Sequence, residues 1–422
     1  MNNVLFIAYF FPPCGGGGVQ RSSKFVKYLP KFNWCPYVLT VRERNLTKDT
    51  TLLKDIPSEA RVYETFSLEE VFIKVKKRSS EEKHTHRISK GEYRTSKKAF
   101  VSRLKRFINQ YVFQPDSAIL WFPIAVLQGL EILKKNRIDI IYASGSPWTD
   151  FLIGAALKKI SGKPLVVDLR DPWSLSKDKK ILDEYLERKT FGAADAIIMN
   201  NEYIKDEYAK KYKEYRRKML VINNGYDRDD FYGAKPESCD DSKFRCIYAG
   251  TLQSVTTAHS FMEALKRLLR ERPEIKKKFE VVFIGLTPEN IIHDSELKSI
   301  VRSEQYKPHD ELVSFLKSSN LLLIILNRQP NNRWITTGKV YEYFASGTPI
   351  LAIVPEGNIL FNLIKITGTG SVVEYDDIEG IKDCLWQYIE GSLGYHPDME
   401  RVSKFDREVL TMQLVEIFEG CM

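Results

Sequence analysis

Residues 336–355 read TTGKVYEYFASGTPILAIVP and predict a polar loop, a short helix, a glycine stop and a buried strand. Thr336 or Thr337 is expected to cap the helix by accepting from N–H groups of its first turn. Gly347 suits a left-handed ending residue, and the proline two positions later prevents the helix from continuing. The apolar run ILAIV is typical of a parallel strand that is covered on both faces. The stretch therefore predicts one helix–strand step of a parallel sheet.

The start of this helix carries an anion-binding pattern. Gly338 and Lys339 lie where free N–H groups and the positive end of the helix dipole favour a phosphate or diphosphate. Glu342 lies one turn later on the same face as Lys339, and its carboxylate can accept both hydroxyls of a ribose whose phosphates lie at the helix start. The alternative is an exposed acid paired with Lys339. Because short helix-start motifs are frequent by chance, only the surrounding sequence decides between the two.

Composition indicates a globular protein. The chain has 422 residues, 43% hydrophobic and 28% charged, which is enough for buried cores. The length suggests about two or three domains. No apolar run approaches the roughly 18 residues that span a bilayer, and the N-terminal MNNVLFIAYFFPP predicts a first strand rather than a signal peptide. Six scattered cysteines without a CxxC pair favour reduced thiols in a cytosolic protein over a disulfide framework or a zinc site.

The net charge of +9 is concentrated in residues 74–106. This basic segment holds thirteen Lys/Arg against three Glu, so its charge of +10 exceeds that of the whole chain. Such a cluster attracts anionic lipid or nucleic acid. In the overlapping stretch AFVSRLKRFINQYVF, Phe100, Leu104, Phe107 and Ile108 keep helical spacing. A basic amphipathic helix on a membrane surface and a solvated helical hairpin over a core therefore both stay open.

Strands and helices alternate along the chain in two blocks. Apolar strands and amphipathic helices follow one another from the N-terminus to a turn near residue 232. The polar, turn-rich residues 233–243 predict a linker, after which the alternation restarts. Repeated strand–helix order indicates doubly wound parallel sheets. We therefore expect an α/β fold with two Rossmann-like domains, residues 1–232 and 233–400.

Ligands of open parallel sheets bind at the carboxyl ends of strands, and the first candidate end is the glycine run at residues 15–18. A bare backbone here can approach a diphosphate or a sugar. The GK[ST] of a P-loop is missing, and Gln20 breaks the dinucleotide fingerprint GxGxxG. A plain tight turn is the alternative.

Two other predicted strand ends carry polar residues. In DLRDPW, Arg170 can hold an anion, and Asp171 can act as a base or orient a hydroxyl. The alternative is a turn in which Asp171 caps Ser174. In AGT, Gly250 and Thr251 can donate to phosphate. The acid–x–acid pattern DRD at residues 227–229 matches a metal–nucleotide pair formally, but its place in a turn near the linker indicates a structural role.

These stretches, in order, resemble a known family. FPPCGGGGVQR, SGSP, DLRDPW, FGAADAIIMNNEY, VINNGYDRDDF, FRCIYAGT and GKVYEYFASGTPIL look like glycosyltransferases of the GT-B fold. They are most similar to the family 4 group of bacterial surface-polysaccharide enzymes, over nearly the whole chain. The resemblance implies two Rossmann-like domains facing a cleft, with the acceptor on the first and a nucleotide-sugar donor on the second. A C-terminal helix, residues 401–422, then packs back on the first domain.

The resemblance also assigns roles to single residues. Glu342 matches the glutamate that holds the donor ribose, and Gly338 and Lys339 match the loop facing the diphosphate. Arg170 and Asp171 match a segment where many relatives place a histidine near the reacting sugar. The glycines matching the loop that reaches the donor from across the cleft are Gly16, Gly17 and Gly18.

The chain departs from the family pattern at several positions. Trp334 stands where relatives usually carry a second glutamate, which touches the sugar, so the donor sugar stays open. The familiar Arg and Lys after the AGT strand are absent, so phosphate contacts are expected from Lys339 or Arg328. The missing histidine fits a mechanism in which the leaving diphosphate takes the acceptor proton.

We therefore expect a glycosyltransferase that moves a sugar from a nucleotide-sugar donor to a lipid-linked or polysaccharide acceptor in bacterial surface-glycan synthesis. Arg170, Asp171 and Lys339 are the candidate catalytic residues. The resemblance implies retention at the anomeric carbon, no bound metal and no cofactor. We expect a cytoplasmic protein whose basic segment holds it at the inner face of the membrane, and no nucleic-acid partner.

Two rival functions stay open. A basic nucleic-acid-binding protein is motivated by the charge of residues 74–106, although RNA-stacking motifs are not evident. An NAD-dependent oxidoreductase is motivated by the paired Rossmann halves, although the fingerprint is broken.

Overall fold

The computed structural model of the chain divides into two compact units. Unit 1 is Met1–Asn223 with Thr411–Met422, and unit 2 is Asn224–Leu410. The described residues are 1–15, 17–42, 49–68, 113–175, 181–237, 242–252, 255–289, 294–329 and 334–422. The basic segment 74–106 and Gly16 lie outside them.

The division falls earlier than the predicted boundary after residue 232. Tyr226 donates its N–H to the carbonyl of Phe405 at 3.0 Å and accepts from the N–H of Arg407 at 2.8 Å. This backbone pairing places residues 224–232 in unit 2, because it joins them to the chain just before the last helix.

Unit 1 is built on a parallel sheet. Its strands are β1 (Asn2–Ile7), β2 (Trp34–Val41), β3 (Arg61–Thr65), β4 (Ile140–Gly145), β5 (Leu165–Leu169), β6 (Ala196–Met199) and β7 (Met219–Val221). They lie in the order β3-β2-β1-β4-β5-β6-β7. Its helices include α1 (Gly17–Tyr28), α2 (Phe122–Lys135), α3 (Thr149–Ser161), α4 (Asp183–Ala193) and α5 (Glu202–Lys211).

Unit 2 repeats this architecture. Its helices include α6 (Arg228–Phe231), α7 (Val255–Glu271), α8 (His309–Lys317), α9 (Lys339–Ser346), α10 (Ile359–Thr367), α11 (Ile378–Glu390) and α12 (Met399–Ser403). Its strands are β8 (Phe244–Ala249), β9 (Phe279–Ile284), β10 (Val301–Glu304), β11 (Leu321–Ile325), β12 (Ile350–Val354) and β13 (Gly370–Glu374). They lie in the order β10-β9-β8-β11-β12-β13, all parallel. The predicted pair of doubly wound α/β sheets is confirmed.

The last helix, α13 (Arg407–Cys421), returns the chain to unit 1. Phe418 packs there with its ring centroid 5.1 Å from that of Trp34 and 5.8 Å from that of Tyr142. Both partners belong to strands of the unit 1 sheet, so the C-terminal residues cover one face of that sheet.

The central strands of unit 2 are buried on both faces. Leu321, Leu323 and Ile325 of β11 join one apolar cluster, whereas Leu322 and Ile324 join another. Successive side chains of a strand point to opposite faces. A run that is apolar at every position therefore lies between two layers of helices, as the sequence predicted.

The strand order reverses at one point in each sheet. In unit 1 the reversal lies between β1 and β4, and in unit 2 between β8 and β11. Doubly wound sheets bind ligands outside the carboxyl ends of the strands at such a point. The loops after these strands are therefore the places where functional side chains are expected.

One helical run of the described residues is long and apolar enough, by length and composition alone, to cross a membrane. It is Ser117–Lys135, with 19 residues and a mean hydropathy of 1.4. This finding differs from the sequence-based expectation that no run approaches that length. In unit 1, Ala125, Gly129 and Ile132 are buried, and Gly129 packs against Leu157 of α3.

A buried ion pair joins α1 to the centre of the unit 1 sheet. Arg21 donates from Nε to Asp168 at 2.7 Å and from Nη2 at 3.0 Å, and both side chains are almost fully excluded from solvent. The same guanidinium donates to the carbonyls of Ile222 and Asn223 at 2.9 and 2.8 Å, and Tyr142 donates to Asp168. One side chain thus fixes the glycine-led helix against β5 and the chain after β7.

Replacing Asp168 with Ala leaves the Arg21 guanidinium buried without its carboxylate. We expect a loss of about 3–5 kcal/mol in the free energy of unfolding of unit 1, the usual cost of breaking a buried pair. Urea unfolding followed by tryptophan fluorescence measures this, since four of the six tryptophans lie in unit 1. The control is Glu131→Ala, which removes an exposed partner of Lys135. Equal midpoints for the two variants would contradict the prediction.

Candidate active site

Helix α9 begins at an open, uncapped end. The predicted threonine cap is wrong: Gly338 is the N-cap residue, and no side chain of the described residues caps this helix. The N–H groups of Val340 and Tyr341 donate to the carbonyls of Thr337 and Gly338 at 3.2 and 3.3 Å, so among the described residues only the N–H groups of Gly338 and Lys339 remain for a ligand or solvent. A Cβ added at Gly338 would meet none of the described atoms within 4 Å, so the space at the helix start is open. As predicted, Gly347 ends the helix in the left-handed conformation, with φ of 73°.

The ammonium of Lys339 lies against the end of β8. Its Nζ is 3.9 Å from the centroid of the Tyr248 ring, a cation–π contact. A Cβ built at Gly250 would lie 2.6 Å from the same Nζ. Gly250 also has φ of 135°, which other residues rarely adopt. Glycine at this position is therefore what allows the lysine to reach the strand end.

Burial lowers the pKa of Lys339 from 10.5 to about 8, although the nearby Glu342 carboxylate opposes this shift. Among the described residues, no carboxylate oxygen lies within 4 Å of Nζ. A half-buried ammonium beside an uncapped helix start is suited to an anion, because the anion restores the electrostatic stabilisation that burial removes.

The backbone of the AGT loop is used differently from the prediction. Gly250 donates its N–H to the carbonyl of Ile284 at 2.8 Å, and Leu252 donates to Leu286 at 2.9 Å. The N–H of Gly250 is thus committed to the neighbouring strand end rather than to a phosphate. Thr251 is exposed beside it. What Gly250 contributes is the space that Lys339 occupies.

Tyr343 fixes α9 to the same strand end. Its hydroxyl accepts from the N–H of Ala249 at 3.0 Å, and its side chain is fully buried. Since Tyr343 lies one turn after Lys339, this hydrogen bond sets the position of the helix start relative to β8.

Glu342 lies beside a histidine that sequence reasoning missed. Its Oε1 is 3.7 Å from Nδ1 of His309, and Nε2 of His309 is 3.1 Å from Oδ2 of Asp230. Asp230 belongs to the DRDDF turn, where Asp227 caps α6 by accepting from the N–H of Asp229 at 3.0 Å. The cap formed by Asp227 agrees with the structural role that the sequence predicted for this turn. The only sequence signal for His309 was its place at the start of the amphipathic helix α8.

Arg328 is engaged by two carboxylates. Its Nη2 lies 2.6 Å from Glu374 and 3.1 Å from Asp376, on the surface at the end of β13. Arg328, which the sequence predicted as a phosphate contact, is thus paired with acidic side chains. Lys339 is not paired in this way within the described part of the chain.

In unit 1, Arg170 holds loops together. Its Nη1 donates to the carbonyl of Gly18 and its Nη2 to that of Ser146. Asn200 in turn donates to the carbonyl of Arg170. The predicted anion contact is therefore replaced by contacts to the glycine-led start of α1 and the loop after β4. A Cβ at Gly18 would lie 3.0 Å from Nη1, while Gly17 begins α1.

Asp171 is exposed at the carboxyl end of β5 and accepts from Oγ of Ser146 at 3.1 Å. The alternative in which it caps Ser174 is wrong. Ser174 donates its N–H to Glu187 at 3.0 Å, and Glu187 also accepts from Tyr208 and Tyr212. This buried carboxylate, which sequence reasoning missed within α4, fixes the DPWS turn and leaves Asp171 open to a substrate.

A second acid at this edge also escaped the sequence analysis. Asp150, in the first turn of α3, is fully buried and accepts from the N–H of Tyr9 at 2.8 Å. Burial raises its pKa well above the ordinary value. Nearby, Asp116 accepts from the N–H groups of Trp148 and Thr149. These acids lie in loops and helix starts without a recognisable motif, which is why the sequence did not reveal them.

Solved structures share this fold. A glycosyltransferase from Rickettsia africae ESF-5 matches with a TM-score of 0.64 and 14% identity, over 100% of this chain and 98% of that one. The apo lipopolysaccharide outer core galactosyltransferase WaaB matches with a TM-score of 0.60 and 14% identity, over 100% of both. Anabaena HepE in complex with UDP and glucose matches with a TM-score of 0.57 and 14% identity, over 99% of both. At these identities the likeness establishes the fold.

The family comparison adds the activity. Residues 83–230 match the model of Glycosyltransferase Family 4. The chain is a glycosyltransferase of the GT-B fold. The comparison with curated protein sequences gives no match. The matched segment of this glycosyltransferase covers most of unit 1 beyond α1 and includes Arg170 and Asp171, whereas Lys339 and Glu342 lie in unit 2.

The pKa of Lys339 predicts that an anion at the start of α9 binds in a pH-dependent way. An anion at the helix start is held best while the ammonium is protonated, below about pH 8. We expect the affinity for a nucleoside diphosphate to fall up to about tenfold between pH 7 and pH 9, since a group one unit above its pKa is about nine-tenths deprotonated. Titration calorimetry with UDP and GDP measures this.

The matched control for this titration is Lys365→Met, which removes an exposed ammonium on α10. It should keep the pH dependence, while Lys339→Met should bind weakly at both pH values. A wild-type affinity that stays constant to pH 9 would argue against Lys339 as the anion contact.

Proposed function

We propose that this glycosyltransferase moves a sugar from a nucleoside diphosphate to a lipid-linked or polysaccharide acceptor in bacterial surface-glycan synthesis. The observation that carries the proposal is the ammonium of Lys339, half-buried at the uncapped start of α9 and beside the switch point of the unit 2 sheet. Glu342, one turn later, supplies a carboxylate for the ribose of the same donor.

The proposed step breaks the bond between the anomeric carbon and the diphosphate oxygen and forms a bond from that carbon to the acceptor hydroxyl oxygen. Negative charge grows on the leaving diphosphate, and Lys339 together with the helix start stabilises it. The acceptor proton passes to a leaving-group oxygen on the same face of the sugar, so the configuration is retained. The positive charge for this step comes from the protein, and the proposal includes no metal or cofactor.

The glycosyltransferase is proposed to use Asp171 to orient the acceptor. Asp171 is exposed at the end of β5, with one hydrogen bond to Ser146. Arg170 supports it indirectly, since its two terminal nitrogens hold the loops on either side. The lipid-linked acceptor is supported by the likeness to WaaB, which is described as a lipopolysaccharide galactosyltransferase.

A thermal-shift screen across nucleoside diphosphates and their sugars tests the donor proposal. A ligand at about 100 times its Kd stabilises the native state by about 2.7 kcal/mol. We expect one nucleotide series to raise the melting temperature. Lys339→Ala and Glu342→Ala should each weaken that nucleotide about tenfold or more, the usual cost of a lost charge-assisted contact. Both variants should remain folded with lower turnover, and full activity of both on every donor would refute the site.

The basic segment at residues 74–106 is proposed to hold the enzyme at an anionic membrane face in the cytoplasm. Its charge of +10 motivates this, and each basic residue near such a surface contributes about 1 kcal/mol. We expect the full chain to float with vesicles containing anionic lipid but not with neutral vesicles. A variant whose lysines and arginines in this segment are changed to glutamine should stay at the bottom of the gradient.

Equal flotation of the two proteins would remove the membrane claim. Salt-sensitive binding to RNA in a filter assay, without sugar transfer, would instead favour the nucleic-acid rival.

A further inference from the structure

Three separate elements of unit 2 converge on the imidazole of His309. Asp230 belongs to α6, His309 is the first residue of α8, and Glu342 lies in the first turn of α9. The three helices pack against one another. The side chains of His309 and Asp230 are 12% and 7% exposed, whereas Glu342 remains 25% exposed. The more buried pair therefore lies behind a carboxylate that is a quarter exposed.

The distances give the ring a defined orientation. Nε2 of His309 is 3.1 Å from Oδ2 of Asp230. A carboxylate only accepts, so Nε2 donates, and this hydrogen bond turns Nδ1 toward Glu342. Nδ1 lies 3.7 Å from Oε1 of Glu342, which is contact distance. The ring thus limits the rotamers that the Glu342 side chain can adopt.

The segment that carries Asp230 is itself fixed to α8. Lys317, at the other end of α8, donates to the carbonyls of Phe231 and Ala234 at 3.3 and 2.7 Å. Helix α8 therefore contacts the α6 segment at both of its ends. Lys317 binds backbone carbonyls of that segment, and His309 binds the Asp230 side chain. Of these two contacts, only the one at His309 also reaches Glu342.

We propose that His309, held by Asp230, is a positioning residue that orients the Glu342 carboxylate toward the vicinal hydroxyls of the donor ribose. The inference rests on the proposed function, in which Glu342 accepts from those hydroxyls. A carboxylate held in one rotamer loses less side-chain entropy when it binds. It also distinguishes a ribonucleotide from its 2′-deoxy form, because the deoxy sugar leaves one acceptor oxygen without its hydrogen bond.

The experiment compares a ribonucleotide with its deoxy counterpart. Calorimetry gives the Kd of UDP and 2′-deoxy-UDP, and of GDP and 2′-deoxy-GDP, for the full-length wild type and four variants: His309→Ala, Glu342→Ala, the double variant and Lys317→Ala. We expect His309→Ala to weaken the preferred ribonucleotide about fivefold and to reduce the ribose preference by a similar factor, as for one lost net hydrogen bond. In turnover, the donor KM should rise while kcat stays near that of the wild type.

The double variant separates positioning from packing. If His309 acts through Glu342, adding His309→Ala to Glu342→Ala should change the Kd by less than about twofold, within the error of additivity. Lys317→Ala loosens the same two helices without touching Glu342 and should keep the ribose preference. An additive double variant, or a Lys317→Ala variant that loses the preference as His309→Ala does, would overturn the inference.

Failure of this inference differs from failure of the proposed function. A wild type that binds neither UDP nor GDP, and no other nucleotide of the thermal-shift screen, removes the donor site and the inference together. A wild type with a ribose preference that depends on Glu342 but not on His309 removes the inference alone.

Discussion

The close approach of the Lys339 ammonium to the backbone of Gly250 is the constraint on which the unit 2 site depends. A side chain at Gly250 would occupy the place of Nζ, so the strand must end in glycine for the lysine to lie over the Tyr248 ring. Tyr343 holds α9 in register with that strand end through the N–H of Ala249. The helix start and the ammonium therefore reach the ligand position as one rigid group, which is how electrostatic preorganisation works.

Unit 1 brings a basic side chain to a glycine backbone in a related way, but with a different outcome. Arg170 also crowds a glycine, Gly18, yet its terminal nitrogens donate to backbone carbonyls. Its charge is used to join the start of α1 to the loop after β4. Arg21 has a similar role deeper in unit 1, where it donates to Asp168 and to the backbone after β7. In unit 1 the cations thus hold the strand-end loops in place, and the exposed carboxylate of Asp171 is what remains for a substrate.

The features that the sequence predicted correctly are those that a local residue pattern determines. The strands of the sheet centres, such as ILAIV, are apolar at every position because both faces are covered, and they were found. The edge strands β3, β10 and β13 are short and partly exposed, so they carry polar residues and lack that signal. Because the sequence did not reveal β10, it gave no position for the loop that leads from this strand to His309. The role of Gly250 was missed because its N–H pairs with the end of β9, which is distant in sequence. The threonine cap failed for a local reason, since the N–H of Val340 donates to the backbone carbonyl of Thr337 instead of to a side chain.

The positive charge available at α9 bears on the proposed order of proton transfer. The Lys339 ammonium supplies one positive charge, and the helix start supplies about half a unit more. This total is smaller than the negative charge of a free nucleoside diphosphate. Arg328 adds little, because Glu374 and Asp376 already neutralise it. A leaving group that takes the acceptor proton as its bond to the sugar breaks carries one negative charge less when it departs. Transfer of the proton to the diphosphate therefore suits a site whose local stabilisation comes chiefly from Lys339 and the start of α9, and it needs no separate base at the position where relatives carry a histidine.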